Sequence, residues 1–188
     1  MRFVDALLGR TRPRAAKLDA LFGLPNAAIT LETTSGFRPL GSGAVCYRAA
    51  EGAAAVQTQA DIVALLDADD DGPDVEKTTD SFGFTWLITR QDDISLLCND
   101  LHAINTSLEE QGFGSGLLCS MVPFSDATGR TFGLVYLYKQ GTFYPFAPKE
   151  PPTRDNLLEI QVRDLLAGEL PLEKDLSRWM ALWGAPGL

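Results

Sequence analysis

Between Asp93 and Glu110 the apolar residues Ile94, Leu97, Leu101, Ile104 and Leu108 step by 3, 4, 3 and 4, and Gly112 follows as a stop. That period is one face of an α-helix, and such a face has to be buried against another layer. The next two segments, Leu117 to Phe124 and Thr131 to Lys139, are rich in Leu, Val, Phe and Tyr. Ser125, Asp126 and Gly129, residues of a tight turn, stand between them. A helix followed by a hairpin predicts an α+β fold, a mainly antiparallel sheet covered by helices. Thr131 to Lys139 is apolar on both faces and is expected to lie inside that sheet.

The remaining elements are shorter. Met1 to Gly9 carries Phe3, Val4, Leu7 and Leu8 at helical spacing, and Ala15 to Phe22 reads as a second short helix closed by Gly23 and Pro25. Ala27 to Glu32 and Gly43 to Ala49 read as a pair of strands parted by glycines and Pro39. Ala53 to Leu66 reads as a helix, Phe82 to Thr89 as a strand and Gly141 to Pro145 as a short aromatic strand. Thr153 is placed to cap a helix reaching Ala167, and a last helix is expected over Lys174 to Trp183. An apolar fraction of 45% in 188 residues supplies one core, so a single domain over 15–188 follows an arm over 1–14.

Charge separates those two parts. Arg2, Arg10, Arg12, Arg14 and Lys17 against Asp5 give the first seventeen residues +4, which leaves −13 on the rest of a chain whose net charge is −9. The acidic body disfavours nucleic acid, while the basic arm suits an anionic membrane surface or an acidic partner. Phe3, Leu7 and Leu8 would insert there, with Arg10, Arg12 and Arg14 pairing; docking on the protein's own domain is the other use of such an arm. No run approaches the length of a membrane span, and the start has no signal-peptide core. Three widely spaced cysteines, Cys46, Cys98 and Cys119, give no disulfide framework and fit reduced thiols in a cytoplasmic protein.

Several residue sets imitate functional motifs. Asp67, Asp69, Asp71 and Gly72 open like a calcium loop, but Asp74 and Thr78 occupy positions that need an apolar residue and a bidentate Glu. Cys98 and His102 share a helical face and, with Cys46 and Cys119, number a Cys₃His zinc set without the short spacing of a zinc knuckle. With Asn105, the same Cys98 and His102 contain the members of a thiol nucleophile set, strung along one helix where catalytic sets face one another across a cleft. His102 is the only histidine, which excludes centres with two or three. Gly112, Gly114 and Gly116 follow a helix and precede a strand, the reverse of a dinucleotide loop. These failures favour a protein that is not an enzyme, with no cofactor and no metal. The aromatics Phe143, Tyr144 and Phe146, and Trp179 with Trp183, form two clusters that either meet a partner or seal the core edge.

Taken in order, the segments carry a longer pattern: Phe3-Val-Asp-Ala-Leu-Leu-Gly-Arg, Leu18-Asp-Ala-Leu-Phe, Pro25-Asn-Ala-Ala-Ile-Thr-Leu and Val45-Cys-Tyr-Arg-Ala. Then follow Asp100-Leu-His-Ala-Ile-Asn, Gly112-Phe-Gly, Leu134-Val-Tyr-Leu-Tyr-Lys, Gly141-Thr-Phe-Tyr-Pro-Phe-Ala-Pro, Arg154-Asp-Asn and Trp183-Gly-Ala-Pro-Gly-Leu. This resembles, from end to end, the PspA-associated protein B family of actinobacterial envelope-stress accessories. The resemblance implies a cytoplasmic accessory of a phage-shock type system, partnered by PspA and by the membrane protease HtpX, with an α+β fold of secretion-chaperone type. It implies no reaction and no catalytic residue. An adaptor is therefore the leading expectation. A small-ligand or metal-dependent enzyme using Cys98 and His102, and a structural homodimer, are the alternatives.

Overall fold

A computed structural model describes residues 18–48, 60, 63–64 and 74–188. The arm with Phe3, Leu7, Leu8, Arg10, Arg12 and Arg14, and the acidic loop from Asp67 to Gly72, lie outside them. Of the helix expected over Ala53 to Leu66, the described residues 60, 63 and 64 are helical.

Seven strands form one antiparallel sheet: β1 (Arg38–Pro39), β2 (Ser42–Tyr47), β3 (Glu76–Thr79), β4 (Thr85–Arg90), β5 (Leu117–Ser125), β6 (Thr131–Leu137) and β7 (Thr142–Phe146). The order across it is β3-β4-β2-β5-β6-β7, and β1 pairs with β5 beyond the end of β2. β6 lies between β5 and β7 and is buried over nearly its whole length, as its two apolar faces require.

The helix that dominates the sequence is α2 (Ile94–Glu110), and it carries the chain from β4 to β5. Asp93 caps it by accepting from the N–H groups of Ser95 (2.7 Å) and Leu96 (3.2 Å). Leu97, Leu101, Ile104 and Leu108 are fully buried against the sheet, together with residues of α1 (Leu24–Ser35) and α3 (Asn156–Leu166).

Three expectations fail for identifiable reasons. Ala27 to Glu32 is not a strand and makes no pair with β2; it belongs to α1. Pro25 starts this helix instead of stopping the one before, because a first-turn residue has no N–H to contribute. Leu24, Ala27, Ala28 and Leu31, at i, i+3, i+4 and i+7, bury its face and override the β-branched Ile29, Thr30, Thr33 and Thr34. The segment before it, Leu18–Gly23, is a 3₁₀ turn.

Glu76–Thr79, too polar to read as a strand, pairs with β4 through main-chain bonds. The third helix is capped by Asp155, not Thr153. Lys174 to Trp183 holds only a 3₁₀ turn, Leu176–Arg178. The carbonyls a longer helix would use are taken: Trp179 O accepts from Arg154 Nη1 (2.7 Å) and Met180 O from the Tyr144 hydroxyl (3.1 Å).

The chain after α3 covers what helices do not. It first lies along the outer edge of β7, where Phe143 N donates to Pro171 O (2.8 Å) and Glu173 N donates to Phe143 O (2.7 Å). It then supplies Trp179, Leu182, Trp183, Ala185 and Leu188 to the second face of the sheet. Strand alternation serves both layers: Val45, Leu87 and Leu134 join the helical core, while Ala44, Trp86 and Val135 join the core under this C-terminal strap.

Candidate functional site

A cavity of about 150 Å³ opens under the strap, between the β3–β4 turn and the faces of β2 and β5. Its floor is built by a register irregularity. Cys46 pairs with Cys119 and Tyr47 with Leu117, so Leu118 is an extra residue, a β-bulge. Without the bulge Leu118 and Cys119 would face opposite sides of the sheet; with it both line the cavity, while Leu117 joins the helical core.

One wall is organised by Asp80. Its Oδ1 accepts from the N–H groups of Phe82 and Phe84, each at 2.9 Å, and its Oδ2 accepts from Trp86 Nε1 at 3.0 Å. A single carboxylate thus closes the turn and orients the indole that lines the cavity. Gly83, with φ of 81°, provides the left-handed residue of that turn. Phe82 is 62% exposed at the mouth, and Trp183 packs edge-on against Phe146 with ring centroids 5.2 Å apart.

The strap is held by polar ties set into apolar surroundings. Besides its bond to Trp179, Arg154 donates through Nε to Glu159 (2.8 Å) and lies over the Phe146 ring at 4.9 Å. Glu159 also accepts from Ala147 N (2.8 Å), and Trp179 Nε1 donates to Glu173 O (3.1 Å). The Tyr144 and Trp179 rings stack at 5.7 Å. Burial holds the Tyr144 hydroxyl well above the usual phenol range, so it stays a proton donor to the strap.

The Cys46 thiol is pushed far up, first by its hydrogen bond with Cys119, then by burial and by the nearby charges of Cys119 and Asp80. It therefore stands as a neutral thiol. Cys98 lies in the core on the opposite face of the sheet, where its thiol donates to Leu21 O (3.5 Å). Burial, with Asp93 adding to it, pushes Cys98 up to about 12. The sheet thus divides the expected Cys₃His set.

The expected thiol nucleophile set is not assembled either. His102 packs against Phe22 at 5.5 Å between ring centroids, while Asn105 Nδ2 donates to Leu101 O (2.7 Å) and Ser120 Oγ (2.8 Å). Among the described residues, no three His, Cys, Asp or Glu side chains gather as a metal site.

Phe143, Tyr144 and Phe146 are completely buried and Trp179 is 8% exposed, so these candidates meet one another in the core, and Trp183 is half-buried beside them. The cavity residues Asp80, Phe82, Phe84, Trp86 and Leu118 were not singled out by motif. The aromatic run from Phe82 to Trp86 was the available signal.

The fold and site define an α+β protein whose antiparallel sheet lies between a helical layer and a C-terminal strap that roofs a small apolar cavity. A family model described as PspA associated protein B matches residues 1–187, and the chain belongs to that family. Membership links it to PspA. No curated protein and no solved structure matches the chain. No helix among the described residues is long and apolar enough to cross a membrane.

Proposed function

We propose that this protein is a non-enzymatic accessory of a PspA-type envelope-stress response, an adaptor of chaperone-like character that works by protein–protein contact in the cytoplasm. The end-to-end family match carries this reading. The helical layer adds to it: Leu157 and Ile160, three residues apart on α3, are 68% and 44% exposed, and Ile29 on α1 is 61% exposed. Apolar side chains left in water on packed helices suit a partner's apolar face. The separate engagements of Cys98, His102 and Asn105 support a role without catalysis.

The test is binding of the purified full chain to PspA, with HtpX as a second bait. Saturable binding to PspA, lost in Leu157→Glu/Ile160→Glu without loss of fold by circular dichroism, supports the adaptor reading. No binding to either bait overturns it. Flotation with anionic vesicles, comparing the full chain with one lacking residues 1–14, tests peripheral contact at the membrane's inner face. Solution mass at two concentrations tests the homodimer.

A further inference from the structure

We propose that the cavity under the strap is a binding site for a small alkylammonium ion of the choline type, free in solution. This inference stands apart from the adaptor reading and rests on the lining alone.

Four aromatic side chains, Phe82, Phe84, Trp86 and Trp183, contribute to one cavity, and Asp80 is its only charged lining residue. No Lys, Arg or His is present in that lining. Aromatic faces attract a cation through the ring quadrupole, most strongly when it is desolvated, and an aromatic box around alkylated nitrogen is a recurrent solution to recognising it. Asp80 turns that preference into charge selection, since a carboxylate or phosphate ligand would face it unpaired. A ring in this wall already receives a cation from outside the cavity: the Arg48 guanidinium carbon lies 5.3 Å from the centroid of Phe84.

Size and polarity narrow the ligand. An apolar space of ~150 Å³ accepts a body about as large as benzene, which a trimethylammonium group matches. The other contributors, Leu118, Leu182, Met180 and the neutral thiols of Cys46 and Cys119, suit methyl groups and offer little to a strongly hydrogen-bonding ligand. Primary ammonium ions, which need three acceptors, are therefore disfavoured. A lipid headgroup is disfavoured because its phosphate would be carried against Asp80.

The experiment titrates the full chain with choline and with the neutral isostere in which carbon replaces the nitrogen. Binding is read by tryptophan fluorescence, because Trp86 and Trp183 line the site. Choline is expected to bind saturably and at least tenfold more tightly than the isostere. Asp80→Asn should reduce that preference to less than threefold. Since Asp80 also holds the β3–β4 turn, Phe82→Ala at the exposed mouth is the second variant, expected to weaken choline about fivefold with the melting temperature unchanged. Equal affinity for the two ligands, or no saturable response to choline, overturns the proposal. So does an unaltered choline affinity in both variants. Binding to phosphatidylcholine vesicles without a response to free choline overturns it as well.

Discussion

Arg154 and Glu159 form an ion pair of 2.8 Å in which the side chains are 19% and 4% exposed, and the same guanidinium holds the Trp179 carbonyl. One residue therefore joins α3 to the strap, and Glu159 extends the link to the end of β7 through Ala147 N. Removing one member of a buried pair leaves a charge without its partner, and that is where the cost arises. Arg154→Met is expected to destabilise the protein by about 3 kcal/mol, the lower end of the range because Ala147 N still pairs with Glu159. Arg154→Met/Glu159→Gln should lose less than the single variant. Urea unfolding followed by tryptophan fluorescence measures both. A loss under about 1 kcal/mol would place the pair with exposed ion pairs of little consequence.

The strap shields two thiols on one face of the sheet, and the helical layer shields the third on the other. Deleting residues 180–188 should make Cys46 and Cys119 react rapidly with a thiol reagent, while Cys98 stays slow. Mass spectrometry of the labelled chain gives the count. Three fast thiols would mean that the truncated chain has unfolded, and none would mean that the strap is not the barrier.

Gly116 sits where a Cβ would lie 2.5 Å from the Arg48 carbonyl oxygen, a backbone atom that cannot turn aside. The same carbonyl belongs to a residue whose N–H donates to Gly116 O at 2.9 Å, so the two strands are locked at that spacing. Gly116→Ala is expected to cost about 2 kcal/mol, as overpacking does, measured by chemical denaturation. Gly114→Ala, whose Cβ would touch only Glu109 at 3.4 Å or more, should cost far less.

Asp126 governs the β5–β6 turn. Its Oδ1 accepts from Thr128 N, Thr128 Oγ1 and Arg130 N, and its Oδ2 from Arg130 Nε at 2.7 Å. Partial burial opposes its ionisation, but the bonds from Thr128 and Arg130 outweigh it and draw the carboxyl down to about 2. A group lowered on folding contributes stability above its unfolded pKa of about 3.9 and loses it as pH falls through the folded value. The Thr128 amide shift should titrate with a midpoint near pH 2. A midpoint near 4 would mean the turn does not hold the carboxylate. Asp126→Asn should flatten the dependence of stability on pH between those limits.

The elements that could be read from the sequence were those whose apolar period lies wholly inside one segment. Ile94 to Leu108 declares a helix because its stripe repeats over several turns. Leu117 to Phe124 and Thr131 to Lys139 declare a hairpin because the turn residues between them have special backbone needs. Leu24, Ala27, Ala28 and Leu31 carried the same kind of stripe, but the β-branched residues among them and the ambiguous Pro25 hid it. Proline starts a helix or ends one according to what precedes it.

By itself, then, the sequence determined the α+β class, the main helix and hairpin, the separation of charge and the absence of a workable thiol–histidine motif. Only the tertiary structure decided that Lys174 to Trp183 is a strap, because the carbonyls that would extend a helix are claimed by Arg154 and Tyr144. It alone brought Cys46 opposite Cys119 while placing Cys98 on the far side of the sheet. The cavity depended on it most, since the Leu118 bulge and the Asp80 turn lie far apart in the chain. Backbone pairing and side-chain hydrogen bonds across the sheet, not any local period, bring them together.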